Sequence, residues 1–398
     1  MSGFYYNGEN FDRIFVTEHQ LLENFIGTRA FSWGTATQGA LGDNSTTSKS
    51  SPVDFSGKGN NWRQLSMGGS AGAGVKLDGT LWTWGAGTYG VLGSGGTTSR
   101  SSPQTTIVAG TDWKEVSISK GGWGINSGFF CAAIKYDGSL YTWGNNAKGQ
   151  LGSNTTTNRS SPLSITTFNN WNHVACGTDH CIAVTSAGQI YTWGTNSAGQ
   201  LGNGSTASRS SPGTIIGNDF DWVKVAAGGG MSAAIKSDGT LWTWGSTGSF
   251  GALGDGLSID RSSPGTTAVG GTTWERVSCG GSSTAAVKID GTLWTWGLGS
   301  SGQLGTGATA SRSSPGTVAG GGTNWKDVSA SSSFMVGVKT DGSVWSWGAN
   351  STGQLGDGST TSRSSPGTVQ GGVGEWQKVA VCDAAVGGTT LGTSLFIG

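Results

Sequence analysis

The dipeptide Trp-Gly recurs along the chain at an almost constant spacing, and no other feature constrains the fold as strongly. Its tryptophans are Trp33, Trp84, Trp143, Trp193, Trp244, Trp296 and Trp347, separated by 51, 59, 50, 51, 52 and 51 residues. A fixed period of this length is typical of a structural unit that stacks on copies of itself because it cannot bury its apolar face alone. The sequence therefore predicts seven units of about 51 residues.

Each unit repeats further motifs in the same order. Trp-Gly is followed by Leu-Gly, then by Ser-Ser-Pro, and then by a Trp that precedes Val or Leu by three residues. These motifs use all 7 prolines. Together with a Trp two residues before Trp-Gly in several units, they use every tryptophan of the 19 except Trp123. Because these residues occupy repeat positions, they indicate architecture rather than a binding site.

The residues around the motifs alternate as they do in β-strands. Residues 81–84 read Leu-Trp-Thr-Trp, and successive side chains of a strand point to opposite faces. Asp78-Gly79 precedes this run, which predicts a hairpin with a type I′ turn. No unit has a helical pattern of useful length, and four short strands fit each unit. We therefore predict an all-β fold, a seven-bladed β-propeller with about 51 residues and four strands per blade.

The two ends of the chain indicate how the ring closes. The strand of Phe31–Gly34 has no hairpin partner before it, and the last unit has no Trp-Gly after it. We expect the first strand to pair with strands of the C-terminal unit. The segment Ser394–Gly398 resembles a further copy of the same strand, so either segment could close the ring and the other could lie outside regular closure.

Composition excludes several protein classes. Lys+Arg and Asp+Glu are both 23, so a broad nucleic-acid surface is not expected. No apolar run reaches 18 residues, and we expect no membrane insertion. The N-terminus lacks the pattern of a secretory signal peptide. The 74 glycines follow no three-residue period, which excludes collagen, and 5 cysteines argue against a disulfide framework.

The repeated motifs resemble those of the regulator of chromosome condensation repeat family. They are Trp-Gly, Gly-Gln-Leu-Gly, Ser-Pro, Trp-x-x-Val and Ala-Val-Lys-x-Asp-Gly, and they span residues 30–398. The resemblance implies a seven-bladed propeller. The founding member of the family exchanges guanine nucleotide on a small nuclear GTPase, partly through a β-wedge. Here the 59-residue spacing carries extra residues only around 121–128, and none is acidic, which argues against exchange by that route.

No catalytic motif or cofactor-binding pattern is present, so we expect neither an enzyme nor a bound cofactor. Cys176, His180 and Cys181 cluster in sequence, but the positions of the two cysteines hold Cys in other units as well, namely Cys279 and Cys131. This favours packing over a metal site. Asp43, Asp255 and Asp357 follow Leu-Gly in polar loops. Turn formation explains these aspartates better than calcium binding does.

A cation precedes Ser-Ser-Pro in every unit. These residues are Lys49, Arg100, Arg159, Arg209, Arg261, Arg312 and Arg363. Seven-fold repetition predicts a ring of cations, which would bind an anion or a partner surface. The alternative is that each side chain clamps loop carbonyls or the Asp of a neighbouring turn. Trp123, which breaks the repeat, is a candidate exposed contact.

Residues 1–29 lie outside the repeat and are predicted to anchor the propeller. The candidate anchoring residues are Phe4, Tyr5, Tyr6, Phe11, Ile14 and Phe15. The pattern of residues 4–15 resembles N-terminal segments of tailed-phage virion proteins. A segment this short cannot bury a core of its own, so it needs a surface on which to dock.

We therefore expect a non-catalytic structural or adhesive propeller. In the leading interpretation it belongs to a phage virion, is made in the host cytoplasm, binds other virion proteins through residues 1–29, and presents its loops to a host-surface glycan or receptor. The alternative is a cytoplasmic regulator that binds a small GTPase or another protein and resembles an exchange factor.

Overall fold

The computed structural model describes residues 29–54, 61–121, 128–371, 376–386 and 389–397, the last stretch and residues 382–386 by their backbone only. Within these ranges the regular structure is 28 β-strands and two short 3-10 turns, Thr37–Gly39 and Thr88–Gly90. The prediction of an all-β fold is therefore confirmed. No helix in the described ranges has the length and apolar character needed to cross a membrane.

The strands fall into four classes by their place in a sheet. The inner strands are β3 (Trp62–Gly68), β7 (Trp113–Ile118), β11 (Trp171–Cys176), β15 (Trp222–Ala227), β19 (Trp274–Cys279), β23 (Trp325–Ala330) and β27 (Lys378–Val386). The second strands are β4 (Ala71–Lys76), β8 (Phe130–Lys135), β12 (His180–Thr185), β16 (Met231–Lys236), β20 (Ser283–Lys288), β24 (Phe334–Lys339) and β28 (Thr389–Ile397).

The third strands carry the Trp-Gly motif, and the outer strands begin at the repeated cation. The third strands are β1 (Ala30–Gly34), β5 (Leu81–Gly85), β9 (Leu140–Gly144), β13 (Ile190–Gly194), β17 (Leu241–Gly245), β21 (Leu293–Gly297) and β25 (Val344–Gly348). The outer strands are β2 (Lys49–Asp54), β6 (Arg100–Thr105), β10 (Arg159–Ile165), β14 (Arg209–Thr214), β18 (Arg261–Thr266), β22 (Arg312–Thr317) and β26 (Arg363–Thr368).

The strands pair into antiparallel sheets of four, the blades of a propeller, and the described strands form seven such sheets. Six are built from consecutive strands, from blade 1 (β3 to β6) through blade 6 (β23 to β26). The remaining sheet, the closing blade, has the order β2-β1-β28-β27 and so combines both ends of the chain. Successive inner strands contact one another around the whole ring, and β27 contacts β3. The inner strands therefore surround the central axis.

Both candidate closing segments lie in the closing blade. Ala30 pairs with Ile397 and Trp33 with Ser394, so β1 is the third strand and β28 the second. The expectation that one segment could lie outside regular closure is wrong. The prediction that the first strand pairs with the C-terminal unit is confirmed, because β28 supplies the hairpin partner that the sequence before β1 lacks.

The hairpins at Asp-Gly form as predicted, but their turn type differs. Gly79 has φ of 76°, and its N–H donates to the Lys76 carbonyl, while Asp78 keeps a negative φ. This is the three-residue loop with a left-handed glycine bulge, not a type I′ turn. The reason lies in Asp78, whose carboxylate accepts hydrogen bonds from the N–H and hydroxyl of Thr80 at 2.9 and 2.6 Å.

The blades are joined by the indole of each Trp-Gly tryptophan. All seven of these side chains are fully buried, and each Nε1 donates to a backbone carbonyl of the preceding blade at 2.7–3.0 Å. The acceptors are the carbonyls of Gln354, Ala40, Val91, Gln150, Gln200, Ala252 and Gln303. A buried indole N–H requires such a partner, so the motif fixes the position of each blade against the next.

Two ends of the ring can be distinguished by their connections. We call the side that carries the inner-to-second and third-to-outer connections the loop face, and the side that carries the Asp-Gly hairpins the turn face. Near the turn face a lysine lies over two aromatic rings in five blades, with Nζ 4.2–5.3 Å from the centroids. These lysines are Lys76, Lys135, Lys236, Lys288 and Lys339.

Candidate interaction surfaces

The seven repeated cations do not behave alike. In blades 3 to 6 the arginine at the start of the outer strand folds back over the glycine that follows Ser-Ser-Pro, where a Cβ would overlap the guanidinium. The pairs are Arg209 with Gly213, Arg261 with Gly265, Arg312 with Gly316, and Arg363 with Gly367. These four side chains lie along their own strand instead of projecting from the rim.

Three of the four folded-back arginines also clamp their surroundings. Arg261 Nη2 lies 2.8 Å from Asp255 Oδ2, and Arg363 Nη2 lies 3.0 Å from Asp357 Oδ2. Arg312 has no Asp in its loop and donates instead to the carbonyl and hydroxyl of Thr295, at 2.9 and 2.8 Å. This is the clamping geometry of the alternative interpretation, in which the cation serves its own blade.

Lys49, Arg100 and Arg159 belong to the closing blade, blade 1 and blade 2. Arg159 is exposed, and the other two are half-buried. The side chains of these three residues have no hydrogen-bond or ion-pair partner among the described residues. Whether the cations bind a ligand stays a prediction, but the geometry divides the expected ring into four positions that are folded back and three that are not.

The aspartates after Leu-Gly have turn geometry. Asp43 accepts hydrogen bonds from the N–H and hydroxyl of Ser45, both at 3.0 Å, and Asp357 accepts from Ser359 in the same way. Burial alone would raise the pKa of Asp357, but the bonds from Ser359 and the charge of Arg363 hold it below its usual value. Each carboxylate is thus already engaged within its loop.

The Cys and His cluster is buried and closely packed. Cys176 and Cys181 face each other across β11 and β12 with their Sγ atoms 3.4 Å apart. Burial raises the pKa of the Cys181 thiol well above its usual value. Burial lowers the pKa of His180 to about 4, and its Nε2 lies 3.0 Å from Ser232 Oγ. Among the described residues no group of three such side chains has the arrangement to hold a metal ion.

The connection between β7 and β8, residues 119–129, is the part of the loop face that departs from the repeat. Trp123 falls in 122–127, outside the described residues. Both flanks are held by the next blade: Thr178 Oγ1 donates to the Gly121 carbonyl at 2.8 Å, and Gly128 N–H donates to Asp179 Oδ1 at 2.9 Å.

Asp179 also contacts a lysine, in addition to the N–H of Gly128. Its other oxygen lies 2.7 Å from Lys148 Nζ, and its side chain is only 11% exposed. A buried carboxylate with two partners of this kind is a rigid support. The candidate anchoring residues Phe4, Tyr5, Tyr6, Phe11, Ile14 and Phe15 also lie outside the described residues.

The central axis carries a set of side chains that the sequence did not single out. Each inner strand is the edge of its sheet, and such an edge leaves backbone groups unpaired. Gln64 covers the edge of β7 by donating to the Val116 carbonyl at 2.9 Å and accepting from the Val116 N–H at 2.8 Å. Serines do the same for single N–H groups, in the pairs Ser66–Ile118, Ser117–Cys176, Ser278–Ala330 and Ser329–Val381.

Charged residues occupy the same position in other blades. His173 Nδ1 contacts Glu115 Oε1, and His173 Nε2 lies 3.2 Å from the Val225 carbonyl. Burial alone would lower the pKa of His173, but the charge and hydrogen bond of Glu115 outweigh it, and the pKa is raised. These contacts join neighbouring blades. Their only signal in the sequence is that the position two residues after the inner-strand Trp is polar in every unit.

The comparison with known families decides the affiliation of the chain. The model of the RCC1-like domain matches residues 27–319 and 125–390, which together span nearly all of the described propeller. The chain belongs to the RCC1-like domain family. The predicted resemblance to the regulator of chromosome condensation repeat is thereby confirmed, whereas the resemblance of residues 4–15 to phage proteins has no support from this match.

Individual members of the RCC1-like family are moderately similar. The ultraviolet-B receptor UVR8 of Arabidopsis thaliana is 32% identical over 307 residues, which cover 76% of this chain and 68% of the receptor. The human E3 ubiquitin-protein ligase HERC2 is 30% identical over 330 residues, which cover 78% of this chain but only 6% of the ligase.

A solved structure supports the RCC1-like fold. Prp20p from Saccharomyces cerevisiae superimposes with a TM-score of 0.75 over 94% of this chain and 92% of its own, at 19% sequence identity. At this identity the likeness concerns the fold alone.

Proposed function

We propose that this chain is a non-catalytic regulator that binds a protein partner in the cytoplasm, and that the partner docks on the loop face beside residues 119–129. The observation that carries the proposal is the support given to this connection by Thr178 and Asp179. Residues 119–129 connect the inner and second strands of blade 2, and residues 177–179 make the same connection in blade 3. The connection in blade 2 is therefore much longer than its counterpart in blade 3.

The physical reason is a contrast between repeated and unrepeated features. Repeated side chains, such as the Trp-Gly indoles and the lysines over aromatic rings, are engaged in joining strands and blades. The Asp179–Lys148 pair and the two bonds to Gly121 and Gly128 serve one connection only. A loop held on a rigid scaffold is the usual place for a binding surface.

The relatives favour this function over the virion interpretation. One is a receptor, and Prp20p has binding properties toward Gsp1p and histones. By analogy with such proteins we propose a protein partner, for which a small GTPase is one candidate class. The virion interpretation depends on residues 4–15, which lie outside the described part of the chain.

The test compares partner capture by the full chain and two variants. Thr178→Ala/Asp179→Ala removes both side-chain supports of the connection. Asp290→Asn/Asp341→Asn changes two exposed hairpins on the turn face. We expect the first variant to lose the partners that the unchanged chain captures from a lysate of its native cells, and the control to retain them. Equal capture by all three proteins would contradict the proposal.

A second measurement tests the proposal that the protein is not a nucleotide-exchange catalyst. The full chain is mixed with purified small GTPases that carry a fluorescent guanine nucleotide, and nucleotide release is followed. We expect release at the intrinsic rate, because residues 119–129 contain no acidic side chain. Accelerated release would replace the proposed function with nucleotide exchange.

A further inference from the structure

The cations at the start of the outer strands differ because of the residue after Ser-Ser-Pro. In blades 3 to 6 this residue is glycine, and the guanidinium occupies the space that a side chain would fill. In the other three blades it is Val53, Gln104 or Leu163. A Cβ at these positions denies Lys49, Arg100 and Arg159 the folded-back arrangement, so they must be directed elsewhere.

The three cations that are not folded back are neighbours in the ring. Gly39 of the closing blade packs against Ser101 of blade 1, and Gly90 of blade 1 packs against Ser160 of blade 2. Each of these serines directly follows a cation, so a single connection, residues 86–99, separates Arg100 from Arg159. That connection contains no charged residue.

Compensating acids are present elsewhere on the rim. Asp255 and Asp357 stand six residues before Arg261 and Arg363 and pair with them. The corresponding residues before Arg100 and Arg159 are Ser94 and Ser153, which are neutral. The charges of these two arginines are therefore not balanced within their loops.

Lys49 contributes less than the two arginines. Asp43 stands six residues before it, as Asp255 does before Arg261, and its carboxylate accepts hydrogen bonds from Ser45. An acid nearby reduces the local positive potential even without an ion pair. We therefore treat Arg100 and Arg159 as the centre of the surface and Lys49 as its flank.

We propose that Arg100 and Arg159, flanked by Lys49, form an interaction surface for an acidic protein segment. The proposal rests on the proposed protein-binding function and names the chemistry of the partner. An acidic segment fits because a few separated cations in a chain of zero net charge match a few carboxylates. A nucleic acid would call for a larger basic surface that neutralises many phosphates.

The experiment uses the full chain and a fluorescein-labelled peptide of alternating glutamate and glycine. Fluorescence anisotropy gives the dissociation constant at low and at physiological salt, and an unlabelled oligothymidylate serves as competitor. The test variant is Arg100→Gln/Arg159→Gln. The matched control is Arg209→Gln/Arg261→Gln, which removes two folded-back arginines and the same amount of charge. Tryptophan fluorescence verifies that both variants are folded.

We expect the test variant to bind the peptide roughly fivefold more weakly, which corresponds to about 1 kcal/mol of binding free energy for the two pairs together. The control is expected to bind as the unchanged chain does. Equal weakening in both variants, or no peptide binding at low salt, would overturn the proposal. Competition by oligothymidylate that exceeds competition by unlabelled peptide would overturn it in favour of nucleic acid. Retained partner capture on the loop face would show that the proposed function stands even then.

Discussion

The indole N–H of Trp33 donates to the carbonyl of Gln354 at 3.0 Å and so joins two residues that lie 321 positions apart. The same bond links each blade to the one before it, for example Trp143 to Val91 at 2.7 Å. In this series the bond of Trp33 joins the closing blade to blade 6. The indole-to-carbonyl bond that joins consecutive blades is therefore also present where the ring closes.

Trp33→Phe is expected to lower the free energy of unfolding by about 2–4 kcal/mol. The buried Gln354 carbonyl loses its donor, and the smaller ring leaves a cavity. Trp82→Phe is the control, because Trp82 is half-buried and Phe31 occupies the same place in the closing blade. Urea unfolding followed by fluorescence measures both. A loss no larger for Trp33→Phe than for Trp82→Phe would show that this bond does not support closure.

Gly79→Ala is expected to cost about 2 kcal/mol of unfolding free energy. Gly79 has φ of 76°, where an alanine is strained, and a Cβ there would overlap the Thr111 carbonyl of the adjoining connection. Gly96→Ala is the matched control, since Gly96 has an ordinary φ and open space around its Cα. Thermal unfolding measures the midpoint temperature of both variants. An equal fall of the midpoint in Gly79→Ala and Gly96→Ala would contradict a special requirement for glycine at position 79.

The architecture was predictable because repetition reveals it. The period of the Trp-Gly motif predicts the blades, and Asp-Gly predicts the hairpins at Asp78 and its counterparts. The turn type was not predictable from the dipeptide, because it depends on the bond from Thr80 that keeps Asp78 at negative φ. The place of β28 was hidden because its sequence resembles a third strand, while its pairing with β27 makes it a second strand.

The candidate surfaces were harder to predict, for a different reason. The folding back of Arg209 and its counterparts had a signal, the glycine that follows Ser-Ser-Pro in four units, but its meaning depends on the path of the side chain. The hydrogen bonds by which Gln64 and His173 cover the inner edges of neighbouring blades had almost no signal in the sequence. Those contacts join residues about one unit apart, and a different type of side chain makes them in different blades. The residue two positions after the inner-strand Trp therefore does not repeat from unit to unit.

Lys339→Met is expected to lower the unfolding free energy by about 1 kcal/mol. Lys339 Nζ lies 5.0 Å from the Trp325 ring and 4.2 Å from the Trp345 ring, and a methionine keeps the volume but not the charge. Lys339→Arg should recover most of the loss because it restores a cation over the rings. Urea unfolding compares the three proteins, and a methionine variant as stable as the arginine variant would rule out a cation–π contribution.

His180 should make stability fall in acid. Ser232 Oγ donates to the Gln200 carbonyl at 2.9 Å and so accepts from His180 Nε2, which leaves Nδ1 as the unprotonated nitrogen of a buried ring. Burial lowers the pKa of His180 from 6.5 to about 4 in the folded protein. Between these two pH values the unfolded chain binds a proton at His180 and the folded chain does not. The contribution of His180 to the free energy of unfolding is therefore fully present above pH 6.5. It is lost as the pH falls toward 4, by about 3 kcal/mol.

The histidine's share can be isolated by comparison with a side chain that does not titrate. His180→Asn should lower stability at pH 7, where the bond to Ser232 is changed, yet flatten the profile between pH 6.5 and 4 relative to the unchanged chain. The difference between the two profiles removes the contribution of the carboxylates, which titrate in both proteins. His173, whose pKa is raised by Glu115, acts in the opposite sense, since its stabilisation is lost as pH rises through that pKa. Urea unfolding at intervals from pH 4 to 8 gives both profiles, and parallel curves below pH 6.5 would mean that His180 is not held neutral by burial.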